Sequence, residues 1–386
     1  MRFPVPYYQI LAQIVVRFPH LRPSQTRGLA QWVFGMLLAG KGTETAVASA
    51  LSAFGESFGN VRQRLREWLR DGNHKQAPCK VEVDVSGCFA PLLAWVVAGW
   101  RGEVIPMAVD ATLQENRTVA LVVSVLHRGS AVPVAWKLLP AGKKGSWLDE
   151  IERLLLLLKP ALPSGKTVLL MADRGLWSRR LWDAARKAGM HPMIRVQKNI
   201  LFQPTGGKKG PAARLIEGRG QAWTGAGKAF KEKSLDATLI VVWVPKAQEP
   251  CLVLTDLPPS ADRVGSYGLR FWIELGFRQI KSAGWDWESM RRADLKRSER
   301  HWLAMAVATF WAIANGSTKE DEDAERSGKR RNPKRRRLVS LFRQGFERLW
   351  PQFMNQWLSP LLPLLSDPWP DLSSLVHIQL ADVGAA

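Results

Sequence analysis

Residues 267–281 read YGLRFWIELGFRQIK, a stretch in which polar side chains recur at a helical spacing. At about 100° per residue, its main polar positions fall within an arc of roughly 60° on an α-helix. These positions are Tyr267, Arg270, Glu274, Arg278 and Lys281. The apolar residues between them form a neighbouring arc suited to a core. The spacing predicts a helix that presents one carboxylate among cations, and the competing interpretation is a solvent-exposed face with an incidental Arg–Glu pair.

The charge of the whole chain points to a polyanionic partner. The 386 residues include 55 Lys plus Arg against 34 Asp plus Glu, a net charge of +21. KRRNPKRRR (329–337) supplies part of the excess, but basic residues also recur elsewhere, as in VRQRLREWLR (61–70). Such a balance favours nucleic acid, with an anionic membrane surface as the competing partner.

Cysteine usage and hydropathy exclude several classes of protein. Cys79, Cys88 and Cys251 show no CxxC spacing, so neither a disulfide framework nor a structural zinc site is indicated. The apolar runs 89–100 and 302–314 are shorter than the roughly 20 residues that span a bilayer. The N-terminus lacks the apolar segment of a signal peptide. We therefore expect a soluble, cytoplasmic protein with no membrane partner.

The first 75 residues are predicted to form a small helical module. Apolar residues recur at spacings of three and four, and Gly and Pro residues separate the segments. The last segment, NVRQRLREWLRDG (60–72), carries several arginines. This pattern fits a helix-turn-helix-like module or, equally, a plain helical bundle.

From residue 104 the sequence becomes rich in β-forming residues, which indicates an α/β domain. Three predicted strands come first, at 104–113, 117–129 and 131–139. A helix (146–158), a strand (167–173), a second helix (178–189) and a further strand (192–197) follow them. Antiparallel strands followed by parallel ones are the order of an RNase H-like fold. Residues 198–265 then read as a β-rich insertion before the helix at 267–281.

The C-terminal part of the chain is predicted to be less regular. WLAMAVATFWAIA (302–314) has the composition of a core helix. The acidic and then basic run at 316–337 is predicted to be a solvated, charged linker. Residues 338–386 would form a tail with one short helix (342–358) and a Pro-rich end.

Three carboxylates are candidates for one catalytic site. Asp110 ends the run VIPMAV and Asp173 ends TVLLMA, so adjacent strands would place both at one sheet edge. A helix crossing that edge would add Glu274. Oxygen ligands of this kind suit Mg²⁺ or Mn²⁺, and two such ions can drive in-line attack on a phosphate. Each aspartate alone could be a turn former or helix cap, and Asp84 is a rival for the first position.

These residues resemble a known family. YGLRFWIELGFRQIK matches Y-x2-R-x3-E-x6-K, the signature of a large group of bacterial insertion-sequence DDE transposases. VDATL (109–113) and ADRGLWS (172–178) resemble the first- and second-aspartate regions of these enzymes. The motifs occur in the family's order, and the β-rich insertion lies where the family carries one. The resemblance covers about residues 80–315, the predicted catalytic domain.

The resemblance implies roles for individual residues. Asp110, Asp173 and Glu274 would hold two Mg²⁺ or Mn²⁺ ions. Tyr267, Arg270 and Lys281 would contact the DNA backbone near the cut end. Arg278, in the same arc, and Arg174, next to the second aspartate, are further predicted DNA contacts.

The chemistry implied is transposition of an insertion sequence. The enzyme would cleave double-stranded DNA at the terminal inverted repeats to give a 3′-hydroxyl and transfer that end into target DNA. The need to pair two ends implies a homodimer. Some family members use a Trp from the insertion to hold a flipped base, for which Trp223 and Trp243 are candidates if they are not core residues.

Two alternative functions remain open from the sequence. A nuclease of the same fold would cut DNA without joining it. A transposase-derived repressor would bind DNA and perform no chemistry.

Overall fold

The N-terminal part of the chain is helical, as its apolar periodicity predicts. The computed structural model describes residues 3–75, 81–142, 147–290, 292–328, 337–364 and 376–381. The N-terminal helices are α1 (Val5–Arg17), α2 (Pro23–Ala39), α3 (Glu44–Ser52) and α4 (Phe58–Leu69). Side chains of Thr43 and Ser57 cap α3 and α4 by accepting backbone amide hydrogens. α2 begins at Pro23, because Pro is compatible with the first helical turn.

The centre of the molecule is a mixed sheet flanked by helices. Its first strands are β1 (Val104–Gln114), β2 (Thr118–His127), β3 (Ser130–Pro140), β4 (Thr167–Ala172) and β5 (His191–Val196). The helices are α5 (Phe89–Val97), which precedes β1, α6 (Leu148–Leu158) between β3 and β4, and α7 (Arg179–Lys187) between β4 and β5. The spatial order is β3-β2-β1-β4-β5. β1, β2 and β3 pair antiparallel, whereas β4 is parallel to both β1 and β5. The order of strands and helices expected from the sequence is therefore observed.

The predicted insertion continues this sheet. Its strands are β6 (Leu201–Pro204), β7 (Gly210–Pro211), β8 (Gln221–Ala229), β9 (Leu235–Trp243) and β10 (Cys251–Thr255). β10 pairs antiparallel with β5, and the sheet then runs β10-β9-β8-β6-β7. The insertion thus covers the edge of β5, which would otherwise present unpaired backbone groups. A C-terminal strand, β11 (His377–Leu380), pairs with β8 and was not expected from the Pro-rich tail.

The helix predicted at 267–281 is shorter than expected. Ser266–Arg270 forms a 3₁₀ turn, and α8 (Phe271–Ile280) begins only after it. Tyr267 therefore precedes the α-helix, and Lys281 follows its end with a non-helical backbone. The 60° arc was wrong for these two residues, because Tyr267 lies in a 3₁₀ turn, which has three residues per turn and not 3.6, and Lys281 lies beyond the end of the α-helix.

A long helix, α9 (Leu295–Ser327), packs against the sheet. It includes residues 316–327, which were predicted to belong to a charged linker. Residues 302–314 are buried, as expected, but the helix continues through the acidic run to Ser327. Lys319 pairs with Asp323 one turn later, and Arg337 binds Glu320 through two bonds of 2.7 and 2.8 Å. The absence of apolar residues suggested a solvated linker, but ion pairs keep this segment helical. Residues 329–336 of that run lie outside the described residues.

The last helix, α10 (Leu341–Met354), crosses α9 at very close range. A Cβ on Gly316 would lie 1.9 Å from the carbonyl oxygen of Leu341, and one on Gly345 would lie 1.9 Å from that of Ala312. Only glycine allows the two backbones to meet in this way.

The N-terminal helices share a core with α9. The Trp32 ring lies 4.4 Å from the His301 ring, and Arg300 Nη1 donates to the Leu69 carbonyl at 2.6 Å. In the described part of the chain, no helix is both long and apolar enough to cross a bilayer.

Candidate active site

Parallel pairing brings Asp110 and Asp173 to the same level of the sheet. The register between β1 and β4 runs from Val104 opposite Thr167 to Val109 opposite Ala172. Asp110 and Asp173 are the next residue on each chain. Asp110 does not end its strand as predicted, because β1 stays paired with β2 as far as Gln114. The two aspartates nevertheless lie where the pairing of β1 with β4 stops.

Arg270 links the sheet to α8 through two carboxylates. Its Nη2 lies 2.5 Å from Asp110 Oδ2, and its Nη1 lies 2.9 Å from Glu274 Oε1. The Arg270 side chain is 13% exposed, and that of Asp110 is 18% exposed. The predicted Arg–Glu pair therefore exists, but the same guanidinium also binds an acid from β1, which the incidental-pair interpretation did not include.

Asp173 lies beside a second arginine. Arg195 on β5 places Nη1 4.0 Å from Asp173 Oδ1 and Nη2 3.0 Å from Glu249 Oε1. Arg174, a predicted DNA contact, lies 3.5 Å from the same Glu249 oxygen. Sequence reasoning missed both Arg195 and Glu249. A lone Glu in the connection between β9 and β10 carries no motif, and only the pairing of β10 with β5 brings it here.

The carboxylates influence one another electrostatically. Burial raises the pKa of the Asp110 carboxyl above its usual value, and the charges of Asp173 and Glu274 act in the same direction. Arg270 and the Ala111 amide oppose this shift without cancelling it. Burial alone would lower the pKa of Arg270, but the neighbouring Asp110 raises it overall. All three predicted acids thus contribute to one electrostatic site.

Tyr267 supports the end of β4. Its hydroxyl donates to the Ala172 carbonyl at 3.1 Å, directly before Asp173. Burial raises the pKa of the Tyr267 phenol, which therefore stays neutral. Of the other predicted DNA contacts, Arg278 is exposed on α8, and Lys281 Nζ lies 3.4 Å from Glu288 Oε1.

The rival acid Asp84 has a structural role. It accepts hydrogen bonds from the Ser86 hydroxyl at 2.7 Å and the Gly87 amide at 3.2 Å, in the turn before α5. The candidates for base stacking also differ in access. Trp223 is buried on β8, whereas Trp243 is partly exposed and has Arg219 at 6.0 Å from its ring.

The donor chemistry of the site suits a hard divalent cation. Asp110, Asp173 and Glu274 offer carboxylate oxygens, the ligands that Mg²⁺ and Mn²⁺ prefer. Among the described residues, no group of three or more His, Cys, Asp or Glu side chains is positioned to hold a metal ion. The Arg270 guanidinium lies between Asp110 and Glu274.

Part of the chain is similar to a known protein family. The family model described as "Transposase DDE domain" matches residues 148–311, which include Asp173 and Glu274 but not Asp110. This match supports a DDE transposase. No curated protein matches the chain. A cryo-EM structure of a piggyBac transposase synaptic complex with hairpin DNA is similar at a TM-score of 0.37 and 13% identity, over 90% of this chain and 79% of that chain.

Proposed function

We propose that this chain is a DDE transposase with an RNase H-like catalytic domain. It cleaves double-stranded DNA at the ends of an insertion sequence and joins those ends to target DNA. The observation that carries the proposal is the double contact of Arg270 with Asp110 and Glu274. That contact gathers acids from β1 and α8 around one cation, beside Asp173. The match to the transposase domain model over 148–311 supports the same assignment.

Asp110, Asp173 and Glu274 are the proposed ligands of two Mg²⁺ or Mn²⁺ ions. When bound, such ions activate water or a 3′-hydroxyl and stabilise the leaving oxygen of the phosphate. The protein contributes rigid placement: β1 and β4 hold two ligands on a paired sheet, and α8 brings the third. Tyr267 fixes the backbone before Asp173 through its bond to Ala172.

Arg270 has a second proposed partner, the DNA phosphate at the cut end. A guanidinium binds phosphate oxygens in the same forked geometry in which it binds carboxylates. Its Nε is buried and has no hydrogen-bond partner among the described residues. Transfer of Arg270 from the acids to a phosphate would leave the acids free for metal ions. Tyr267, Arg278, Lys281 and Arg174 are the further proposed DNA contacts.

The remaining parts of the chain have proposed roles as well. Residues 1–75 would bind the element end, 80–315 would form the catalytic domain, and 338–386 would form a C-terminal extension. A homodimer would hold two ends together. The mass of the protein–DNA complex in solution tests this: two protein chains per pair of ends are expected, and a complex of one chain with one end contradicts it.

A strand-joining assay separates the candidate functions. Purified protein is incubated with Mg²⁺, a plasmid and a duplex that carries the DNA flanking the reading frame. A transposase nicks the duplex at one position and joins it to the plasmid. A nuclease stops after cutting, and a repressor only shifts the duplex in a gel. Asp173→Asn should abolish both reactions of a transposase and change nothing in a repressor.

The predicted DNA contacts are tested by salt dependence. Each phosphate contact adds roughly one unit to the slope of log affinity against log salt concentration. Lys281→Ala should therefore weaken binding and lower that slope. An unchanged slope would show that Lys281 faces away from the DNA.

A further inference from the structure

An arginine cluster lies at the junction between the N-terminal helices and the segment that follows α8. Glu44, in the first turn of α3, contacts three arginines at once. Its Oε1 lies 2.8 Å from Arg62 Nε and 2.6 Å from Arg66 Nε, both on α4. Its Oε2 lies 3.5 Å from Arg292 Nη2. Three guanidiniums on one carboxylate leave a net charge of 3 − 1 = +2.

The cluster is open to an incoming ligand. The four side chains line a cavity of about 300 Å³ together with Thr43, Thr45, Ser289, Met290 and His301. Arg62 and Arg66 are 40% and 45% exposed, whereas Glu44 is 16% exposed. Burial lowers the pKa of Arg292; Arg297 and Arg66 act in the same direction, and Glu44 and Asp294 oppose this shift without cancelling it. The three guanidiniums exceed the one carboxylate by two charges, so a further anion would stabilise them.

The cluster is structurally joined to the strand that carries Asp110. The side-chain amide of Gln114, the last residue of β1, donates to the carbonyls of Trp287 and Met290 at 2.6 and 2.8 Å. Met290 lines the cavity. From Asp110 to Gln114, a strand advances about 13 Å, at roughly 3.3 Å per residue. A paired strand therefore connects Asp110 to the segment that lines the cavity.

We propose that Arg62, Arg66 and Arg292 bind a backbone phosphate of the substrate DNA, and that Glu44 occupies the phosphate position in the free protein. The site lies outside the Y-x2-R-x3-E-x6-K signature and connects the N-terminal helices to the catalytic half. This inference rests on the proposed function only in taking DNA as the partner. Because a phosphate contact reads no bases, the site acts equally on any DNA sequence.

The test measures binding of the full chain to two duplexes of equal length at several salt concentrations. One duplex carries the DNA that flanks the reading frame, and the other has a random sequence. Arg66→Ala and Arg62→Ala should each lower the log–log salt slope by about 1 on both duplexes. Arg180→Ala is the matched control, because Arg180 on α7 is paired with Glu152 away from the cluster. Its slope should stay that of the parent protein.

Glu44→Gln distinguishes a phosphate site from a structural ion cluster. If Glu44 competes with phosphate, its neutralisation should lower the Kd for both duplexes by about two- to fivefold. If Glu44 only holds the arginines in place, the Kd rises, and the inference is overturned. Unchanged slopes in both arginine variants also overturn it. Binding and strand joining by the parent protein would then leave the proposed function intact, whereas binding without cleavage contradicts the proposed function and spares the phosphate site.

Discussion

Two ion clusters in this molecule are opposite in composition. In the group at the sheet edge, called the acidic cluster below, one guanidinium, Arg270, contacts two carboxylates, so the charge of the group is 1 − 2 = −1. In the arginine cluster, called the basic cluster below, one carboxylate, Glu44, contacts three guanidiniums, and the charge of the group is +2. Each cluster joins elements that are distant in sequence. Each also retains an excess of one sign.

The excess charge of each cluster determines which ligand it can accept. The acidic cluster already holds one cation and has Asp173 nearby, so further cations are favoured there. The basic cluster already holds one anion, so a phosphate is favoured there. In both clusters, the charge of the central residue has the same sign as that of the expected ligand. A metal ion would therefore take the place of Arg270, and a nucleic-acid phosphate would take the place of Glu44.

Loss of a carboxylate at the sheet edge should have the strongest effect. Asp110→Ala, Asp173→Ala and Glu274→Ala should each lower DNA cleavage by roughly 10³-fold or more, because a ligand acting as part of a unit is lost. DNA binding should remain close to that of the parent protein. Asp149→Ala, an exposed acid on α6, serves as the control and should retain cleavage. Normal cleavage by any of the three variants removes that residue from the proposed metal site.

The next effect is on stability and comes from increasing the negative charge at the sheet edge. Arg270→Ala leaves Asp110 and Glu274 without their shared cation, and the free energy of unfolding should fall by about 2–3 kcal/mol without divalent metal. Added Mg²⁺ should restore part of that loss, because metal binding to the folded state stabilises it. Urea unfolding with and without Mg²⁺ measures both.

Arg278→Ala provides the control for this experiment, since Arg278 is exposed on the same helix. Its effect should stay within about 0.5 kcal/mol. Equal stability of Arg270→Ala and the parent protein would mean that the guanidinium does not balance the acids in solution.

A third effect concerns the pH dependence of stability and the buried imidazole of His301, which lines the cavity of the basic cluster. Burial lowers the pKa of His301 from 6.5 to about 3, although its Nε2–H donates to the Gly42 carbonyl at 2.9 Å. The unfolded chain takes up this proton near pH 6.5, whereas the folded protein does not. The free energy of unfolding should therefore fall as the pH drops from about 6.5 toward 3, by about 2 kcal/mol at pH 5 from this residue.

His301→Gln removes that contribution from the pH dependence. Unfolding curves at pH 7 and pH 5 should differ less in the variant than in the parent protein. A residual dependence is expected, because burial also lowers the pKa of His127 well below its usual value. Identical pH dependence in the two proteins would place the His301 ring in contact with water.

The weakest effect is expected at Tyr267, and it tests whether this residue supports the acidic cluster or contacts DNA. Tyr267→Phe removes the bond to the Ala172 carbonyl and should cost about 1 kcal/mol of stability. The salt slope of DNA binding should not change, because a neutral phenol releases no counterion. Weaker DNA binding with unaltered stability would instead favour the direct DNA contact predicted from the motif.

Local patterns predicted much of this architecture. Apolar spacing identified the N-terminal helices and α9, and β-rich runs predicted the strands of the central sheet in their observed order. The expectation that Asp110 and Asp173 approach each other needed only the parallel pairing of two strands. Patterns failed where long-range contacts decide: the 3₁₀ turn before α8, the extension of α9 to Ser327 and the joining of the insertion to β5.

The acids, the cations and the elements that carry them could be identified from the sequence, because periodicity and residue type are local properties. Which opposite charges meet is visible only in the folded protein. Arg270 reaches Asp110 across 160 positions of the chain, and Arg292 reaches Glu44 from the segment after α8. Coulombic attraction depends on distance in space and on burial, and neither is encoded in the spacing of a motif.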